Sequence, residues 1–509
     1  MKAAASLSCW LMFWGSLCLL APSPVMAAEY YLSPTGNDST GNGSMEHPFQ
    51  TLAHVETLLA AGDTVTLRAG TYVSNVFRIR YPHITIQSYK GEQARIQAPT
   101  TDEDIGMAIY VDVNAAYTTL SRLEIMGGYY YGVKTESTWN WGGGEPLHGA
   151  SHLTISDCSI HHTGRDAIKL VPLSDDALIQ RCEIHTTGVR DTGNAEGIDN
   201  VNADRMVVRE CYLHDIATTG IYAKGGATDC VIDRCLIMNT GGLGVALGFD
   251  TSVEWFDAAV NPGYYENIRG QLSNSIIVGT RYAGVGLYAA YQPGVYNNTV
   301  VDAAQSGQQS ALFFGSSWKD WDTSVPHHGC VEPVITNNIF AVAAGLSPAP
   351  LVLIRHETEL GGFSALEGDA DLSNNIYFAP TKTASFEDRR SGFTGGLAAW
   401  KTHMHSDNNS LETDPQLTTQ YHLQASSPAI GAGVSVNESI FDYDGSRRNI
   451  AAPVDIGADE FISGVLLPVP PPEGTIGIGT LGASPGTPHD PGSKPYSPLP
   501  LSSILLLLR

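Results

Sequence analysis

The chain reads as an all-β solenoid, a stack of short parallel strands wound around one elongated core. Two recurring patterns predict it. Four segments, Leu153–Ile160, Leu178–Ile184, Val207–Leu213 and Val231–Ile237, alternate apolar residues around Cys158, Cys182, Cys211 and Cys235. Those cysteines are 24, 29 and 24 residues apart, and Asn274, Asn298 and Asn338 are read as continuing the column. A unit of this length cannot bury its apolar face alone and must stack on its neighbours. A second strand then recurs in every unit: Gly132–Glu136, Ala167–Val171, Gly197–Val201, Gly220–Lys224, Gly244–Gly248, Gly284–Tyr288 and Ala311–Gly315.

The elements follow in order. Residues 1–27 carry Lys2, the apolar run Leu11–Leu20 and the small-residue end Val25-Met26-Ala27, the pattern of a cleaved export signal. From Pro48 to Leu59 the apolar residues Phe49, Leu52, Val55, Leu58 and Leu59 share one helical face, as expected of an amphipathic helix that covers the first coil. Gly62–Tyr72 alternates as a strand between glycine turns. The clear repeats run from about 115 to 345, within a domain expected to span 28–461. Beyond it, residues 462–509 are rich in Pro, Gly and Ser and read as a disordered tail, ending in an apolar Ile504–Leu508 far shorter than the ~20 residues of a membrane span. That end fits either a degenerate anchor or sorting segment or an accidental apolar stretch.

Composition narrows the function. A net charge of −24 in 509 residues argues against a nucleic-acid binder, which needs a basic face. An acidic polymer would need a bridging cation or a local basic cluster. Cys9 and Cys18 leave with the signal, and six cysteines remain: 158, 182, 211, 230, 235 and 330. Stacked positions ~4.8 Å apart with parallel side chains are poor disulfide geometry, so a ladder of buried thiols is expected. An exported, soluble monomer, secreted or at the cell surface, is the reading.

Period two places the side chains of the second strand. The branched residue after each Gly or Ala points inward. One outward column then reads Lys134, Lys169, Asp199, Tyr222, Ala246, Gly286, Phe313; the next reads Glu136, Val171, Val201, Lys224, Gly248, Tyr288, Gly315. A third column reads Tyr131, Asp166, Glu196, Thr219, Leu243, Ala283, Ser310. Asp166, Lys169, Glu196, Asp199, Tyr222 and Lys224 therefore gather on three neighbouring coils, within about 10 Å. Carboxylates beside lysines are where shifted pKa values are expected; the bland alternative is an ion-pair ladder on a solvated sheet. Insertions at 137–150, 249–265 and 315–333 leave at the same corner of the coil and carry Trp139, Trp141, Trp255, Trp318 and Trp321, which suit stacking on sugar rings or simply pin the loops. His161, His185 and His214 share a further column; a turn-stabilising role is preferred there over a metal site.

The tyrosine-rich start Tyr30–Asp38, the Pro48-Phe-Gln-Thr-Leu52 helix start, and Gly62-Asp-Thr-Val-Thr-Leu-Arg-Ala-Gly-Thr-Tyr72 resemble secreted right-handed parallel β-helix proteins of the pectate-lyase-like superfamily. The end, from Thr413-Asp-Pro-Gln-Leu417 to Asp455–Phe461, is similar to the terminal segment of bacterial members. The resemblance covers roughly residues 29–461. It implies a polysaccharide lyase that cleaves a uronate-containing polymer by β-elimination. In that reading Asp166, Glu196 and Asp199 hold Ca2+. Lys224 is the base, with Lys169 second. Arg190 or Arg281 neutralises the substrate acid, and Tyr222 donates to the leaving oxygen. No signature of one lyase family is present, and Asp175-Asp176 falls in a turn rather than on the outward columns. Hydrolysis by paired carboxylates and non-catalytic polysaccharide binding remain as alternatives.

Overall fold

A computed structural model describes residues 27–139, 147–317, 325–342, 350–357, 363–380 and 385–462. Apart from Ala27 and Ile462, the expected signal and tail lie outside them. Three sheets of twelve strands, hydrogen-bonded coil to coil, run the length of the stack, and a short five-stranded sheet adds a fourth side to its middle coils. One coil shows the plan: Val231–Asp233 in the first sheet, Leu236–Thr240 in the second and Val245–Leu247 in the third. Pairing between coils is parallel, for example Val231 with Gln271 and Val245 with Val285.

The core lies inside the coil. Ile168, Ile198, Ile221, Val245 and Val285 are each 0% exposed at one inward position of the third sheet. The stack runs from Glu29–Leu32 to Leu411–Glu412, well beyond the 115–345 in which the repeat is legible. The expected helix is shorter than its apolar spacing suggested, only Leu52–Glu56, with the Thr51 side chain accepting from His54 N. It packs against Phe77–Ile79, the first strand of the third sheet, and Leu52 and Val55 join the main core. At the far end the helix Leu397–Met404 buries Trp400 against Phe386, ring centroids 5.3 Å apart.

The cysteine column holds, with one correction. Cys158, Cys182, Cys211 and Cys235 are buried and unpaired. Each thiol faces a carbonyl of the coil below, as Cys182 Sγ does Ile155 O at 3.6 Å. Burial keeps the Cys158 and Cys211 thiols well above their ordinary pKa. Asn274, however, is not in this column. The register Asp233↔Ser273 and Leu236↔Ile276 sets Ser275 opposite Cys235, and Asn298, Asn338 and Asn375 follow. Asn274 sits one place earlier, at φ 50°, in line with Arg234, Asn297, Asn337 and Asn374 at 52–63°. Asparagine tolerates this left-handed turn, so paired asparagines serve two needs. The first makes the corner and the second hydrogen-bonds up the stack: Asn298 Nδ2 donates to Asn338 Oδ1 at 3.0 Å, and Asn338 Nδ2 to Asn375 Oδ1 at 3.1 Å.

The terminal segment, 413–461, lies on the outer face of the second sheet. Leu423, Ala429, Ile456 and Ala458 pack on Ile276, Val301, Ile339 and Ile376. Arg448, 1% exposed, donates to the carbonyls of Gly457 and Ala458 and pairs with Glu460 at 2.8 Å. No helix among the described residues is long and apolar enough to cross a membrane.

Candidate functional site on the third sheet

The outer face of the third sheet is one continuous column. Register pairs Arg78 with Tyr110, Tyr110 with Lys134, Lys134 with Lys169, Lys169 with Asp199, and Asp199 with Tyr222. Val201 pairs with Lys224. The alignment of acids and lysines expected from period two is therefore met. Lys169 Nζ bonds Asp199 Oδ2, and Lys224 Nζ lies 3.5 Å from Asp199 Oδ1. One ligand atom from each of Asp166, Glu196 and Asp199 falls within 4.8 Å of the others.

The cluster is more enclosed than an open groove floor. Asp166, Glu196 and Asp199 are 1%, 4% and 3% exposed. The Lys169 and Lys224 side chains, at 13% and 14%, are the part that reaches solvent. Asp166 Oδ1 accepts from Glu196 N at 3.2 Å, and Glu196 Oε1 from Thr218 Oγ1 at 2.9 Å. Glu196 Oε2 and Asp199 Oδ1 are buried and accept no hydrogen bond.

Burial and charge push the groups apart. Desolvation, reinforced by Glu196 and Asp199, drives the Asp166 carboxyl well above its ordinary range. Burial also penalises the Asp199 anion, but Lys169 and Lys224 overcome it and hold this carboxyl low. Lys169 is disfavoured by burial yet ends raised, because Asp199 and Asp166 face it. Three carboxylates and two ammonium groups leave one negative charge uncompensated. A proton on Asp166 or a bound cation balances it.

The other expected residues divide. Tyr222 is buried with Lys224 Nζ 4.4 Å from its ring centroid, and desolvation lifts its phenol far above the usual value. Arg190 lies on a loop bonded back to Gly164, but its guanidinium stacks 3.9 Å from the Tyr129 ring and its Nε donates to Tyr129 O. Arg281 stands two coils beyond Tyr222, 5.6 Å from the Tyr282 ring, and is not brought to the acids. Trp139, expected as an exposed stacking surface, is 8% exposed and donates Nε1 to Glu254 O at 3.0 Å, so it ties two insertions together. Trp255 is half-buried, and its carbonyl accepts from Asn202. Trp141, Trp318 and Trp321 lie outside the described residues.

One feature, Arg165, escaped the sequence reading, and one column member, Tyr131, gains an environment the column did not specify. Arg165 pairs with Asp191 at 2.9 Å and holds the loop that carries Arg190. Tyr131, beside Asp166, is pushed up by burial and then by the charges of Asp166 and Asp199. The run Tyr129-Tyr130-Tyr131 was the available signal; what it would pack against was not. The histidine column is confirmed as a stack, with ring centroids 4.7 Å apart between His161 and His185 and 4.8 Å between His185 and His214. His185 Nδ1 meets Thr186 Oγ1 and His214 Nδ1 meets Asp215, contacts to turn residues.

Comparison with known proteins agrees with this architecture. Residues 107–340 match the family described as right handed beta helix region. The fold is similar to that of pectate lyase Pel9A, with TM-score 0.53, 16% identity, and coverage of 86% of this chain and 96% of that one. It is similar also to XylC, solved in complex with xylose, with TM-score 0.52, 11% identity, and coverage of 85% and 98%. The uncharacterized protein YwoF of Bacillus subtilis (strain 168) is 27% identical over 175 residues, which is 33% of this chain and 31% of that protein's length. The chain therefore carries a right-handed β-helix region and shares the parallel β-helix fold of these structures, and no single enzyme family is marked out.

Proposed function

We propose that the protein acts on an acidic, uronate-containing polysaccharide, cleaving it by β-elimination at the outer face of the third sheet. One observation carries this reading: two ammonium groups, from the coils on either side, converge on Asp199, beside a buried Glu196 oxygen that accepts no hydrogen bond. Elimination requires that the substrate carboxylate be neutralised, the proton beside it removed and the resulting enolate stabilised. Lys169 and Lys224 are the solvent-reaching members, so a uronate carboxylate meets them first. Asp199 holds Lys169 charged, which suits it to neutralise and stabilise rather than to abstract a proton. Lys224 is left as the base. Tyr222, packed under Lys224, orients it. The fold's similarity to a pectate lyase is consistent with this chemistry and does not by itself establish it.

Asp166, Glu196 and Asp199 would hold Ca2+, Glu196 through its buried Oε2 that accepts no hydrogen bond, and when bound it would supply further charge neutralisation. The donors suit it, being all oxygen. Asp199 also serves both lysines, so Asp166 and Glu196 carry most of the coordination.

A second reading has its own support. Asp166 held protonated beside an ionised Asp199 is the split pair that acid–base glycoside hydrolysis uses. Product chemistry separates the two. With Ca2+ and pectate, alginate or glycosaminoglycans, elimination gives unsaturated ends that absorb in the ultraviolet. Hydrolysis gives reducing ends without that absorbance. Silence by both measures on every polyuronate contradicts an enzymatic role and leaves binding.

A further inference from the structure

We infer that His422, Asp444 and Asp459 form a binding site for a first-row divalent transition metal, Zn2+ or Mn2+ by donor chemistry, that clips the terminal segment closed. The three residues come from separate stretches of that segment, yet one ligand atom from each falls within 4.8 Å of the others. His422 Nε2 lies 3.0 Å from Asp444 Oδ2. Adjacent ligands of a metal bonded at ~2.1 Å sit about 3 Å apart, so this pair already has the spacing of a coordination edge.

A second, independent observation points to a ligand. The Asp444 side chain is 6% exposed, and its other oxygen, Oδ1, is buried and accepts no hydrogen bond. An imidazolium at His422 would pair with Oδ2 and leave that oxygen unsatisfied, which is costly in an enclosed site. A metal would engage the carboxylate as a whole. Asp459 is fixed in place by Leu423 N, which donates to its Oδ2 at 2.7 Å, immediately after His422. The nearby Arg448 is committed to Glu460 and to carbonyls.

One imidazole nitrogen and two carboxylates suit Zn2+ or Mn2+. Ca2+, which takes six to eight oxygens, suits them poorly. The benefit is structural. Residues 413–461 contain no helix and no strand; besides the bridges Leu417↔Leu423 and Phe441↔Arg447 they are joined by single backbone hydrogen bonds such as Gly433 N to Val454 O and Tyr443 N to Ala458 O. Joining three distant points of such a segment removes loop-closure entropy from its open states. The site lies on the covering of the second sheet and stands apart from the Asp166 cluster on the third.

The test uses the full chain, stripped with chelator and then given ZnCl2, MnCl2 or CaCl2 singly. Zinc or manganese is expected to bind with one equivalent assigned to this site and to raise the unfolding midpoint by about 2–4 °C, with calcium giving no shift through it. His422→Ala and Asp444→Asn are each expected to weaken that equivalent about tenfold or more, whereas Asp166→Asn and His185→Ala leave it unchanged. Crystals of the unaltered protein soaked in zinc keep the test independent of variant folding. An anomalous peak at His422 Nε2 supports the site. No retained zinc or manganese, a shift that survives both variants, or a peak only elsewhere overturns it.

Discussion

The outer column of the third sheet changes character halfway along the stack. In the lower coils it reads Arg78, Tyr110, Lys134, Lys169 and Asp199; in the upper coils Ala246, Gly286, Phe313 and Leu353, with a charge returning only at the half-buried Glu387 of the last coil. Tyr222 is the join. At the first inward position of the strand both halves carry branched aliphatic residues, Val133, Ile168, Ile198 and Ile221 below and Val245, Val285, Leu312 and Val352 above, all without exposure. In the upper half Leu243, Ala246, Tyr288, Phe313 and Leu353 close into a dry cluster. The scaffold can therefore fill this address with apolar side chains, and does so in adjacent coils. Buried charges rarely add net stability over a well-packed apolar replacement. The enclosed cluster of Lys169, Asp199 and Lys224 has no counterpart along the described upper coils, and that marks the lower half as functional.

The comparison can be broken or sharpened by experiment, beginning with the largest effect. Lys224→Ala is expected to lower turnover on the cleaved polyuronate by about 10²–10⁴-fold with unchanged folding; retained turnover removes Lys224 as base. Asp199→Leu alone takes the shared anion from two largely enclosed ammonium groups, and chemical denaturation should show a loss of about 2–4 kcal/mol. Inward truncations are expected to cost alike in both halves: Ile198→Ala and Leu287→Ala should each lose about 2–5 kcal/mol, because the core does not register the change outside. A large difference between them would mean the halves differ inside as well.

Smaller effects come from titration. Asp166 is raised in the fold, so the native state holds more protons than the unfolded chain above the ordinary carboxylate pKa, and stability falls as pH rises through that window. Asp166→Asn should therefore stabilise the protein at pH 8 while impairing activity. His185 has the opposite sign. Burial, and then His161 and His214, lower its pKa to about 4, so the unfolded state binds more protons between pH 4 and 6.5. Stability should drop by about 1–2 kcal/mol on acidification through that range, after allowance for the ring's partial exposure. His185→Asn should flatten this dependence.

The stack and the convergence of the site were legible in the sequence for one reason: strand periodicity is strict. Once Ile168, Ile198 and Ile221 are assigned inward, Lys169, Asp199 and Tyr222 have nowhere to go but outward. Corners do not obey that rule. Asn274 was misplaced by one residue because a left-handed turn and a hydrogen-bonding ladder both select asparagine. The fate of Arg190, Arg281 and Trp139 depended on loops whose course period two does not specify. So did the enclosure of the carboxylates. Sequence gives which coil a side chain belongs to, but not what covers it.

The central claim is that the charged half of the column exists for chemistry and not for the fold. Replacing Lys169 by Met, Asp199 by Leu and Lys224 by Met together extends the apolar half downward. The unfolding midpoint and the rate of unsaturated-product formation should be measured on this triple variant and the parent, side by side. The account predicts a variant at least as stable as the parent and without activity. A variant that fails to fold, or one that still cleaves, contradicts it.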